Sequence, residues 1–139
     1  MSYPIREARR RLLTNHGSIV ADVDRCADAV AEPWDTARTT NRDALVADLR
    51  STLETAGVLE RLPAVLEDAV DAMGCELQAE PVAGPPYVVV TTRGPMLRAT
   101  IDPGRLVIRF DAFEVVRTDA GRGASYRRRD GVELVVALE

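Results

Sequence analysis

The sequence predicts an α+β fold: about three N-terminal helices packed on one face of a five- to six-stranded antiparallel sheet. Three observations carry that expectation. Apolar residues recur at helical spacing through the first half of the chain. The period switches from 3.6 to 2 at Gly74. From Tyr87 to Val116, three β-rich runs are separated by two short Gly/Pro breaks, the pattern of an antiparallel meander.

In the helical half, Ile5, Ala8, Leu12, Ile19, Val23, Cys26, Ala27 and Val30 form one stripe between Pro4 and Trp34. The stripe keeps its phase across His16 and Gly17, which favours one long helix with a weak spot at Gly17 over two helices. Thr40 and Asn41 are N-cap candidates for a second helix, with Leu45, Leu49, Leu53 and Ala56 buried and Gly57 as its stop. A third helix follows through Leu59, Leu62, Val65, Leu66, Ala69, Val70 and Met73, ending at Gly74. Pro63 is expected in its first turn, with Val58 to Leu62 as a lead-in, because a mid-helix proline costs about 3 kcal/mol. Glu67, Asp68 and Asp71 read as a solvated acidic face.

In the sheet half, Cys75, Leu77 and Ala79 alternate with Glu76, Gln78 and Glu80, as in a half-buried strand stopped by Pro81. Tyr87 to Thr92 and Met96 to Ile101 are the next strands, joined by a turn at Arg93-Gly94-Pro95. Asp102-Pro103-Gly104-Arg105 carries proline and glycine where a tight turn wants them. Leu106, Ile108 and Phe110 then share a face until the alternation slips near Ala112. A β-bulge is the favoured cause, and a helical turn capped by Asp111 and Glu114 is the alternative. Thr118 to Ser125 reads as loop. Asp130-Gly131 predicts a two-residue hairpin turn, with Arg128 opposite Glu133 and Arg127 opposite Leu134.

Size and composition bound the rest. A chain of 139 residues is one domain by its length, here residues 1–139, with helices over residues 1–74 and the sheet over residues 75–139. All eighteen basic residues are arginine, against twenty-two carboxylates, for a net charge of −4. That balance argues against non-specific nucleic-acid binding. No run of about eighteen apolar residues is present, so no membrane-spanning helix is expected. Two isolated cysteines are not a disulfide framework. The reading is a soluble, cytoplasmic chain with reduced thiols.

A GC-rich genome, encoding arginine in place of lysine, is the plainer of two readings of this composition. The lysine-free, Asp/Val/Ala-rich chain also resembles small uncharacterised haloarchaeal protein families, an impression carried by the stretch Pro85 to Ile101. The resemblance implies no activity and no site residues.

Candidate chemistry is sparse. His16, the only histidine, lies on an apolar stripe and reads as a half-buried residue with a hydrogen-bond partner. With Cys26 and Cys75 it cannot assemble the usual zinc ligand set, so no metal and no cofactor are expected. Each thiol reads as a small hydrophobe. No Gly-x-Ser-x-Gly elbow occurs, and Gly121-Arg122-Gly123 is too short and in the wrong context for a phosphate loop. No catalytic residue is assigned.

Arginine is the remaining lead. Arg6, Arg9 and Arg10 crowd the first helix, with Arg11 beside them; Arg127 and Arg129, with Arg128 between them, crowd the last hairpin. Arg98 and Arg109, with Arg105, line the polar face of the sheet. If such groups converge they make an anion-binding surface, since guanidinium grips phosphate or carboxylate bidentately. Ordinary surface ion pairing is the competing reading. The leading functional expectation is a small non-enzymatic interaction protein, with an unknown protein partner or a second copy of itself. An anion-, phosphate- or nucleic-acid-binding module is the alternative.

Overall fold

The computed structural model describes residues 2–102, 104–117 and 123–139. Its order is α1 (Ser2–Asn15), α2 (Gly17–Ala31), β1 (Arg38–Thr39), α3 (Arg42–Thr55), α4 (Val58–Ala72), β2 (Val88–Val90), β3 (Pro95–Thr100), β4 (Arg105–Arg117) and β5 (Ala124–Leu138). The sheet is antiparallel with strand order β1-β5-β4-β3-β2. The helices supply one roof. Leu45, Val65 and Val70 are 2%, 0% and 2% exposed, and they join Val88, Leu97, Leu106, Ile108 and Phe110 in one apolar cluster.

Among the described residues there are four helices rather than three. The first stripe breaks at His16, whose backbone (φ −126°, ψ 24°) leaves the helix for one residue before α2 begins at Gly17. Phase continuity across the break follows from its brevity. Only one residue departs, and the His16 N–H still donates to the Leu12 carbonyl at 2.8 Å. The kink turns α1 against α4, while α2 lies over β4 and β5.

Asn41 caps α3 by accepting from the Ala44 N–H at 3.1 Å, and Gly57 separates α3 from α4 in the left-handed region that a side chain would disfavour. Pro63 sits inside α4 rather than in its first turn, because Val58 to Leu62 is already helical. Val58, Leu59 and Leu62 are all buried. Burying each is worth about 1.5–3 kcal/mol, enough together to outweigh the proline's cost of about 3 kcal/mol.

The sheet departs from expectation in several places, and β2 is only Val88–Val90 where Tyr87 to Thr92 is expected. Cys75–Glu80 alternates like a strand but pairs with no strand among the described residues; the Cys75 thiol donates to the Asp102 carbonyl at 3.3 Å instead. A two-residue strand at Arg38–Thr39 forms the far edge beside β5. Asp130-Gly131 does not reverse the chain: β5 is one strand, and both flanks of that dipeptide pair with β4. Arg127 therefore faces Glu114 and Arg128 faces Phe113, while Glu133 faces Asp111 and Leu134 faces Phe110. At thirteen residues, β4 is long enough to pair with both flanks, which a local hairpin would have left half unpaired.

The slip near Ala112 is a bulge. Between the Asp111–Glu133 and Phe113–Arg128 pairs, Ala112 alone faces residues 129–132, with Gly131 at φ 90°. The Arg93 carbonyl braces this point, accepting from the N–H groups of Ala112 at 2.7 Å and Phe113 at 3.0 Å. The Thr91–Gly94 turn is closed by mutual backbone hydrogen bonds of 3.0 and 3.2 Å. In the next turn, the Ile101 N–H donates to the Gly104 carbonyl at 2.7 Å. Pro103 lies outside the described residues, as do residues 118–122 of the expected loop and phosphate-loop candidate. Ala124 and Ser125 belong to β5 rather than to that loop.

Gly94 carries the closest approach in the sheet. A Cβ there would lie 2.0 Å from the Phe110 carbonyl oxygen, and its φ is +148°. Gly94→Ala is expected to destabilise the fold by at least about 2 kcal/mol, read as a lower urea midpoint with an unchanged slope.

Candidate functional site

Period 2 divides the sheet into two faces. Leu97, Ile108 and Val136 pair in register on the roofed face, as do Ala99, Leu106 and Leu138. The opposite face carries Val89, Met96, Arg109 and Val135 in one row and Arg98, Val107 and Ala137 in the next. None of its apolar members joins the core cluster, although Val107 is only 7% exposed.

Three arginines are neighbours on this second face. Arg98 is paired with Val107, Arg109 with Met96 and Arg105 with Thr100, so Arg105 and Arg109 lie diagonally on either side of Arg98. Diagonal cross-strand neighbours are about 7–8 Å apart, within reach of long side chains. Arg109 is occupied. Its Nε and a terminal nitrogen donate to the two oxygens of buried Asp111 at 3.3 and 3.2 Å. Asp111 faces Glu133, a like-charged pair that Arg109 and Arg129 hold between them; Arg129 lies 3.6 Å from Glu133 and 3.9 Å from Glu114. Arg127 completes the ladder on Glu114, with its Nε at 2.6 Å.

Arg98 and Arg105 differ. Arg98 Nε donates to the Pro86 carbonyl at 3.0 Å, and among the described residues neither guanidinium has a carboxylate within ion-pair distance. Both line a recess of about 410 Å³ at the end of β3 and β4, with Tyr87, Thr100, Leu77 and Gln78 among its other walls. The irregular Cys75–Tyr87 segment thus supplies walls of this recess.

The first-helix group does not join them. Arg9 Nε donates to the Leu134 carbonyl at 3.0 Å, tying α1 to β5; Arg10 pairs with Glu7, and Arg6 is exposed on the helical layer. Of the seven arginines the pattern singled out, Arg98 and Arg109 are brought together, Arg127 and Arg129 share Glu114, and Arg6, Arg9 and Arg10 stay apart. Arg105, which the sequence already grouped with Arg98 and Arg109, joins them, and Tyr87, Thr100 and Gln78 are the additions. The parity of β3 and β4 points to Arg105 and Thr100; nothing in the pattern points to Gln78.

Arg128 has a structural task. Its side chain is 15% exposed and donates to the carbonyls of Ala112 (3.0 Å), Arg129 (2.8 Å), Gly131 (3.3 Å) and Asp24 (3.0 Å). It also pairs with the Asp24 and Asp28 carboxylates on α2 and lies 6.0 Å from the centre of the Phe113 ring, which Trp34 flanks at 5.8 Å. Every edge of the guanidinium is used.

His16 has an acidic partner. Its Nε2 lies 3.0 Å from Asp68 Oδ2, which also accepts from Asn15 at 3.2 Å, while Arg11 approaches Asp68 at 3.4 Å and Asp71 at 2.7 Å. Asp68 therefore belongs to the α1–α4 seam rather than to a solvated face. Partial burial pushes its pKa up, but the hydrogen bonds from Asn15, His16 and Arg11 prevail and hold it below the usual aspartate value. Burial pushes the Cys26 thiol up, disfavouring thiolate, and its Sγ lies 3.9 Å from the Thr52 carbonyl. Among the described residues no three His, Cys, Asp or Glu side chains are grouped to hold a metal, and no helix is long and apolar enough to cross a membrane.

A family model described as a domain of unknown function (DUF7988) matches residues 6–139. No curated protein and no solved structure matches the chain.

Two outcomes follow from these contacts. Arg128→Met is expected to cost about 3 kcal/mol in denaturant unfolding, with Arg128→Lys recovering little, since an ammonium cannot span the fork. Asp68 contributes stability above the ordinary aspartate pKa of about 3.9, and that contribution is lost as pH falls through its lower folded value. The urea midpoint of Asp68→Asn should accordingly fall less steeply than wild type on acidification below about pH 4.

Proposed function

We propose a function for this chain, which belongs to the DUF7988 family: it is a small non-enzymatic accessory protein that recognises an anionic ligand on the unroofed face of its sheet. The observation that carries the reading is the adjacency of Arg98, Arg105 and Arg109 on that face, with Arg98 and Arg105 lacking a carboxylate partner among the described residues. Guanidinium in a half-buried setting binds phosphate or carboxylate through paired, charge-assisted hydrogen bonds. The non-enzymatic clause rests on the employment of the side chains that most often do chemistry. His16 holds Asp68, and each thiol faces a backbone carbonyl.

The composition bears on how the binding works. In a chain of haloarchaeal type the working solution would be strongly saline, and the Debye length falls to about 3 Å at 1 M salt. Long-range attraction then contributes little, and recognition depends on direct guanidinium contacts. A net charge of −4 points the same way, since the average field of the molecule repels anions.

Titration with inorganic phosphate, followed by amide chemical shifts, tests the proposal. Signals from Arg98 to Thr100 and from Arg105 to Arg109 should move saturably. Movement confined to α1 would transfer the activity to Arg6 and Arg10, and an unchanged spectrum well above about 1 mM phosphate would end the anion-binding reading.

A further inference from the structure

We infer that the recess at the end of β3 and β4 takes a small organic anion, a phosphate monoester or carboxylate with a compact apolar body, and not a nucleic-acid strand. The inference rests on the anion-binding reading above and narrows it to one ligand class. Four observations carry it.

The recess is half open and of a fitting size. Its volume of about 410 Å³ falls within the range of about 300–1,000 Å³ typical of small-molecule sites. One of its cations is also oriented, and the backbone that carries the other is fixed. The Nε bond to the Pro86 carbonyl orients the Arg98 guanidinium and leaves its two terminal nitrogens for a ligand. The Arg105 backbone is tied at both N–H and carbonyl to Glu139, at 2.9 and 2.8 Å, so its side chain springs from a fixed base. Less entropy is lost when such groups close on a ligand.

The walls are mixed in character. Tyr87, Leu77 and Pro86 offer apolar surface, while Thr100 and Gln78 add hydrogen-bonding groups beside the arginines. An anion with an apolar body would use both, whereas a bare inorganic anion would use only half of the site.

The fourth observation sets the limit on size. Leu77, Gln78 and Ala79 also line a neighbouring groove that carries Glu67, Asp71, Glu76 and Glu80. A polyanion leaving the recess in that direction would run into carboxylates, whereas a ligand that ends inside it would not. Like-charge contact of that kind is costly, so the surroundings select against length.

Calorimetric titration of the full chain with phenyl phosphate, benzoate and a single-stranded oligonucleotide, each at about 0.1 M and about 1 M KCl, tests this. Phenyl phosphate or benzoate should bind at one site per chain and persist at the higher salt; the tighter of the two identifies the head group. Arg105→Ala, which removes an exposed side chain, should weaken that binding about tenfold or more. Arg98→Lys should weaken it similarly with an unchanged circular dichroism spectrum, since the charge is kept and the fork is lost. An oligonucleotide that binds more tightly, with a steep salt slope and no response to Arg105→Ala, would overturn the small-ligand inference while leaving an anion-binding protein. If none of the three probes binds while inorganic phosphate still shifts the Arg98 to Thr100 signals, the small-ligand inference falls and the anion-binding reading stands.

Discussion

The bulge between Asp111 and Phe113 is the constraint on which the rest of the sheet depends, and Arg128 is what holds it. Before the bulge, Leu106, Ile108 and Phe110 point at the helices and Arg109 and Asp111 point away. Just past the bulge residue Ala112, Phe113 is turned into the core, where Trp34 and Arg128 meet it. A strand cannot change which parity faces the core without an extra residue somewhere in its pairing. The chain supplies that irregularity at Ala112 and at residues 129–132. Displaced backbone carbonyls would be costly if left dry, and Arg128 satisfies those of Ala112, Arg129 and Gly131. Its remaining donors reach Asp24 and Asp28, so the same side chain fastens the kinked sheet to α2.

Much of this is legible in the sequence because it depends on local rules. Stripes at helical spacing locate the buried faces of all four helices, and Asn41 and Gly57 mark the boundaries around α3. The register from Val88 to Arg109 follows from two short turns. What is not legible depends on partners distant in the chain. The break at His16 is tied to Asp68, more than fifty residues away, and one residue of departure leaves the stripe almost in phase. Asp130-Gly131 has the chemistry of a hairpin turn, yet a longer partner strand outcompetes the local pairing. Pro63 obeys packing over propensity. Cys75–Glu80 alternates, yet it joins no strand among the described residues, although β2 lies at the edge of the sheet.

The candidate site divides along the same line. Parity alone places Arg98 and Arg109 together, because β3 and β4 both keep their alternation over that stretch. The grouping of Arg127 with Arg129 survives, but within a ladder of ion pairs across Glu114 and Glu133 instead of an open cationic patch. Charge count cannot separate those cases; only the positions of the carboxylates can. The recess itself is out of reach of the pattern, since Leu77, Gln78 and Tyr87 come to it through an irregular segment whose path no periodicity encodes.

The position of β5 in the sheet has a consequence for how the protein is made. The strand synthesised last among those described takes an interior slot, with β1 on one side and β4 on the other. While a ribosome is still extending the chain through residue 123, the thirteen-residue β4 has β3 as its only partner and presents a bare edge. Nascent chains side by side on one message would meet through that edge, and stray annealing of this sort is a common route to aggregates. The ionised residues along β4, Arg105, Arg109, Asp111 and Glu114 among them, are well placed to discourage such annealing until β5 arrives.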